Sequence, residues 1–138
     1  MNFKNNDLET KLNFALVNIE KNNLEKASNI YKKILKKYPN NFDANFNLGT
    51  ILAKTNNLKK SVELLEKAAI INPNLEKIFN NLGLIYLNLG NTEKALENTK
   101  KAIKLNQSSS IAYNHLGLIY SNLGSTDEAI ESYSKSLK

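Results

Sequence analysis

Apolar and small residues fall at helical spacing in this chain, and the whole pattern repeats every 34 positions. Leu48-Gly49 is followed by Leu82-Gly83 and Leu116-Gly117. Leu52, Tyr86 and Tyr120 keep the same interval, as do Ala27, Ser61, Ala95 and Ala129. Within one period, Phe79, Leu82, Gly83, Tyr86 and Leu89 form one apolar stripe. Gly90 interrupts it. Ala95, Leu96, Thr99, Ala102, Ile103 and Leu105 form a second stripe. The pattern predicts helix, tight turn, helix, repeated, and a period of this length marks a stacked array.

The turn positions carry their own chemistry. Asn22, Asn56, Gly90 and Gly124 stand one period apart. Asn and Gly best tolerate the left-handed backbone that ends a helix. Asn23, Asn57, Asn91 and Ser125 follow them and are expected to cap the second helices. Ser125 with Glu128 reads as a capping box. Pro39 and Pro73 are expected to close the second helices of their periods.

Size alternates at the predicted helix contacts. Ala15, Gly49, Gly83 and Gly117 lie in first helices. Tyr31, Leu65 and Tyr133 recur as large residues in second helices, with Thr99 as the smaller exception. Small residues opposite large ones let helices approach closely.

With these residues in view, the chain resembles a tetratricopeptide repeat array. The segments Asn80–Asn106 and Tyr113–Leu137 carry most of the motif. The resemblance implies an all-α fold, a right-handed α-solenoid of antiparallel helix pairs. It divides the chain into an N-terminal extension (1–7) and repeats over 8–41, 42–75, 76–109 and 110–138. The first repeat departs from the pattern: Phe14-Ala15 replaces Leu-Gly, and Asn18 stands where an apolar residue is usual.

The resemblance further implies a concave groove lined by first helices. Carried over residue by residue, the peptide-binding groove comprises Asn13, Phe46, Asn47, Thr50, Lys77, Asn80, Asn81, Leu84, Asn114, His115 and Leu118. Asn13, Asn47 and Asn81 are one period apart. An amide both donates and accepts, so a row of amides can pair with the backbone of an extended peptide whatever its sequence. A similar ladder occurs in the repeat domains of O-linked N-acetylglucosamine transferases. The Lys/Asn clamp by which some relatives bind C-terminal carboxylates is not matched. Leu12, Leu16 and Asn81 occupy three of its positions.

Composition narrows the function. The chain has 138 residues, a 41% hydrophobic fraction and a formal charge of +6. All 19 basic residues are Lys. Without Arg there is no planar fork for bidentate contacts to phosphate or guanine, so nucleic acid is not an expected partner. Lys32, Lys33, Lys36, Lys37, Lys100, Lys101 and Lys104 are expected on solvated outer faces. No apolar run reaches membrane-spanning length, and the start carries no apolar signal core, so no membrane contact and a cytoplasmic location are expected. Cysteine is absent and His115 is the only histidine, so neither a metal nor another cofactor is expected. There is no phosphate loop and no nucleophile motif, which argues against an enzyme.

The expected function is a protein-interaction scaffold that binds a peptide segment of a partner. Two alternatives stay open. One is a targeting or regulatory arm of a larger enzyme, glycosyltransferase-like or similar, whose catalytic domain lies elsewhere. The other is a self-assembling structural unit. The last helix carries Ile130, Tyr133 and Leu137, which are expected to leave an apolar strip bare and support a homo-oligomer.

Overall fold

The structure, a computed structural model, describes residues 3–138, with side chains from Asp7 onward. Met1 and Asn2 of the expected extension lie outside the described residues. The described residues form eight helices. They are α1 (Phe3–Glu20), α2 (Leu24–Lys37), α3 (Phe42–Lys54), α4 (Leu58–Ile71), α5 (Glu76–Asn88), α6 (Thr92–Leu105), α7 (Ser110–Asn122) and α8 (Thr126–Ser136). α1 therefore begins inside the segment read as an extension.

The chain divides into two compact units at Ile71/Asn72. In the first, α1 packs on α2, α2 on α3 and α3 on α4. In the second, α5 packs on α6, α6 on α7, α7 on α8, and α5 also touches α7.

Each pair turns in the same way, and the turn residues explain why. Asn22 (φ 59°), Asn56 (63°), Gly90 (77°) and Gly124 (76°) adopt the left-handed conformation. The residue after each donates its N–H five positions back: Asn23 to Asn18, Asn57 to Leu52, Asn91 to Tyr86 and Ser125 to Tyr120, at 2.8–2.9 Å. These are Schellman turns, which satisfy carbonyls that the helix end would otherwise orphan.

The same bond overturns one capping expectation. A capping box needs the N-cap N–H free for the Glu side chain. The Ser125 N–H is already committed to Tyr120, and Ser125 makes no side-chain cap bond. Asn23 makes none either. Asn91 does cap α6, accepting from Lys94 N–H at 3.1 Å. The sequence reading missed two caps, at Asn41 for α3 and Ser109 for α7.

The core of each pair follows the small-opposite-large rule. A Cβ added to Gly49 would stand 2.8 Å from Leu65 Cγ, and one on Gly83 2.5 Å from Thr99 Oγ1. Ala15 and Tyr31 are both fully buried in one apolar cluster with Ala27, Ile34 and Leu48. Burial, and next the negative charge of Asp43, push the Tyr31 hydroxyl up to about 12. Ser61 adds a cross-helix bond, donating to the Gly49 carbonyl at 2.6 Å. Asn18 is buried where an apolar residue was expected, and its amide donates to the Phe14 carbonyl at 2.8 Å.

Candidate peptide-binding site

First helices present a stripe at i, i+3/i+4 and i+7 away from their second helices. In the first unit that stripe carries Asn13 on α1, which is exposed. On α3 it carries Phe46, Asn47 and Thr50, all half-buried. Phe42 and Phe46 stack, with ring centroids 5.8 Å apart and planes 5° from parallel. The Thr50 hydroxyl donates back to the Phe46 carbonyl at 2.9 Å. Asn47 follows Phe46 on the same helix and is half-buried like it.

In the second unit the stripe carries Lys77, Asn81 and Leu84 on α5, and Asn114 and Leu118 on α7. Leu84 and Leu118 are exposed, as is their neighbour Ile111. Large apolar side chains left in water beside amides make a surface suited to an amphipathic or extended segment.

Two expected groove residues are not available there. Asn80 is 5% exposed, and its amide donates to Glu76 Oε1 at 2.7 Å. It stands one position off the exposed stripe, on the side that packs. His115 is 9% exposed, not the surface residue its ladder position suggested. Its Nδ1 is buried without a hydrogen-bond partner among the described residues, and burial lowers its pKa from the ordinary value. His115 is thus a neutral core residue, and the amide row does not continue through it.

The bond to Asn80 belongs to a cluster that the sequence reading missed. Glu76, in the first turn of α5, also accepts from Ser109 Oγ and from Asn106 Nδ2, the latter at 2.9 Å. Ser109 in turn caps α7, accepting from Ala112 N–H at 3.3 Å. Burial acts to raise the Glu76 pKa, but the bonds from Ser109, Asn106 and Asn80 outweigh it and hold it below the ordinary value. The signal was present as Glu76 and Asn80 four apart with Ser109 one period less one residue further on. Which residues meet it is settled by packing.

At the last helix, Ile130 and Leu137 are exposed, at 59% and 89%. Tyr133 is not bare. It is half-buried, and its ring lies against Gly117 within its own helix pair. The expected strip therefore reduces to Ile130 and Leu137. The Lys residues assigned to outer faces are all exposed. Among the described residues no cluster of His, Cys, Asp or Glu is arranged to hold a metal ion, and no helix is long and apolar enough to cross a membrane.

Helix pairs of this kind, joined by identical turns and sealed by small residues opposite large ones, define a helical-repeat interaction module. Sequence models of the tetratricopeptide repeat match residues 18–82, 76–109 and 111–138, and the chain belongs to that family. Its fold is the all-α solenoid of tetratricopeptide repeats, a fold used for protein interaction. Solved structures of MamA are similar to it. The MamA 41-end structure from Desulfovibrio magneticus RS-1 aligns with TM-score 0.90 at 25% identity, over 97% of this chain and 76% of that one. A second MamA crystal structure aligns with TM-score 0.87 at 27% identity, over 94% and 71%. A third gives 0.89 at 26%, over 96% and 77%. No curated protein matches the sequence.

Proposed function

We propose that this chain is a scaffold that holds extended segments of a partner protein along the exposed stripe of the first helices in each unit. The observation that carries the reading is the recurrence of an amide beside apolar neighbours on successive first helices. Asn47 is flanked by the stacked Phe46, and Asn81 by the exposed Leu84. Asn13 and Asn114 extend the polar set, and Lys77, Thr50 and Leu118 complete it. The absence of Arg and the dilution of Lys by Glu support a protein partner over a nucleic acid. A cytoplasmic setting is part of the same proposal.

The test is a titration of a partner captured from source lysate against wild type and an Asn47→Ala/Asn81→Ala double variant. Each lost hydrogen bond costs on the order of 1 kcal/mol, so affinity falls roughly tenfold to thirtyfold. Because the amides are uncharged, binding depends little on salt. Equal affinity of the two proteins would reject the amide row.

A second reading has its own observation. Ile130 on α8 and Leu137 at its C-terminal cap are both exposed, seven positions apart, which favours a second copy docking there.

A further inference from the structure

The outer side of the first unit holds a hollow of about 480 Å³ between α2, α3 and α4. Leu35, Leu48, Leu52 and Leu64 contribute apolar walls, and Lys32, Lys36, Lys60 and Lys67 contribute cations. Lys32, Lys36 and Lys67 have no ion-pair partner among the described residues; Lys60 pairs with Glu63 at 2.8 Å. The lining comes from the stripe Asn45, Leu48 and Leu52, on a different face of α3 from Asn47 and Thr50.

The repeat itself explains the hollow. Asn45, Phe79 and Tyr113 occupy the same position of the period, and so do Lys67, Lys101 and Lys135. In the second unit each Lys covers its aromatic ring, Lys101 at 5.9 Å from the Phe79 centroid and Lys135 at 5.7 Å from that of Tyr113. Each also pairs with a carboxylate one turn back, Glu97 or Glu131, at 2.8 Å. The first unit lacks this arrangement. Asn45 replaces the ring, and Glu63 turns to Lys60, so Lys67 keeps neither an aromatic face nor a carboxylate. Asn45 is 1% exposed. Its Nδ2 donates to the carbonyls of Pro39 (3.0 Å) and Asn41 (2.8 Å), but its Oδ1 is buried with no hydrogen-bond partner among the described residues.

The site therefore offers apolar walls, an unused acceptor and unpaired cations. Buried acceptors are costly to leave unmade, and Lys over an aromatic face is favourable. We propose that this hollow is a docking site for an acidic segment of a partner protein that inserts one tyrosine side chain between α2, α3 and α4. The ring packs against the leucines, as Tyr113 does under Lys135 in the second unit. Its hydroxyl donates to Asn45 Oδ1. Flanking carboxylates pair with Lys32, Lys36 and Lys67, as Glu131 pairs with Lys135. The site is independent of the amide row on the first helices.

The experiment is fluorescence anisotropy with a labelled nonapeptide, four Asp/Glu residues on each side of a central Tyr, at low salt. Binding is expected to fall ~10-fold or more when the central residue is Ala, since buried aromatic anchors dominate such contacts. With Phe at the centre it falls about fivefold, the loss of one hydrogen bond. Asn45→Phe, which places a ring where Phe79 stands in the third pair, abolishes binding while circular dichroism shows the helices intact. Lys32→Gln/Lys36→Gln/Lys67→Gln weakens it about tenfold, and added salt does the same. Asn47→Ala/Asn81→Ala leaves it unchanged. Equal binding of the Tyr and Ala peptides would reduce the site to a charged surface and overturn the proposal, and this comparison needs only the wild-type protein. Undiminished binding to a folded Asn45→Phe, or no binding by wild type, would overturn it too. An oligonucleotide that binds in the hollow with the same dependence on Asn45 would assign it to nucleic acid instead.

Discussion

The ring of Tyr133 lies so close to Gly117 that a Cβ on that glycine would stand 2.6 Å from Tyr133 Cε1. The two residues are 16 positions apart, the spacing that also joins Gly49 to Leu65 and Gly83 to Thr99. One geometric rule thus seals three helix pairs, with side chains of three different sizes. It yields the first prediction. Gly83→Leu and Gly117→Leu each overpack a helix pair and cost roughly 1–3 kcal/mol. Leu is the decisive substitution, because the first pair already carries Ala15 with Tyr31. Lys100→Leu, at an exposed position, leaves the melting temperature nearly unchanged. Equal melting of the glycine variants and Lys100→Leu would refute the close contact.

His115 makes stability sensitive to mild acid. Its burial favours the neutral imidazole, so its folded pKa lies below the ordinary 6.5. Between the two values the unfolded chain binds the proton more readily, and stability falls as pH drops. Its contribution is full above about 6.5 and is lost as pH falls through the folded value. A melting series from pH 7.5 to 5 should decline in wild type and flatten in His115→Asn. Because this is the only histidine, a decline that persists in the variant would assign the effect elsewhere.

The Glu76 cluster acts in a lower window. Its carboxylate is held below the ordinary 4.5 against the opposing effect of burial, so its contribution is present above that value and lost as pH falls below it. Glu76→Ala strands the donors of Asn80, Asn106 and Ser109 and should cost about 1–3 kcal/mol at neutral pH. Denaturant unfolding at pH 7 and again well below 4.5 should show the gap between wild type and variant closing. A gap of constant size would mean the charge of Glu76 is not what the cluster uses.

Association through α8 is open to direct measurement. If a second copy docks on Ile130 and Leu137, light scattering should show mass rising with concentration, and Ile130→Ser/Leu137→Ser should hold the chain as a monomer. Tyr133 should be left intact, since its ring packs on Gly117. A wild-type chain that stays monomeric at high concentration would exclude this interface.

Much of this protein was legible in its sequence. The period fixed the number and order of the helices, because apolar spacing is a local property of the chain. Asn22, Asn56, Gly90 and Gly124 marked the left-handed turns, because few residues tolerate that backbone. The recurrence of small and large residues at the repeat spacing was also visible, but which large residue meets each glycine was decided by the packed helices. Burial of individual polar residues was not. Asn80 and His115 carried the right register for a groove, yet both are buried. The Ser125–Glu128 box failed because the Ser125 N–H was already bonded to Tyr120. Asn45 carried no signal of its own, because the leucines and lysines around it come from three separate helices. Helix type and turn position depend on a few adjacent residues, which the sequence states directly. Exposure, and the partner each polar group finds, depend on residues from separate helices, and only the packed chain brings those together.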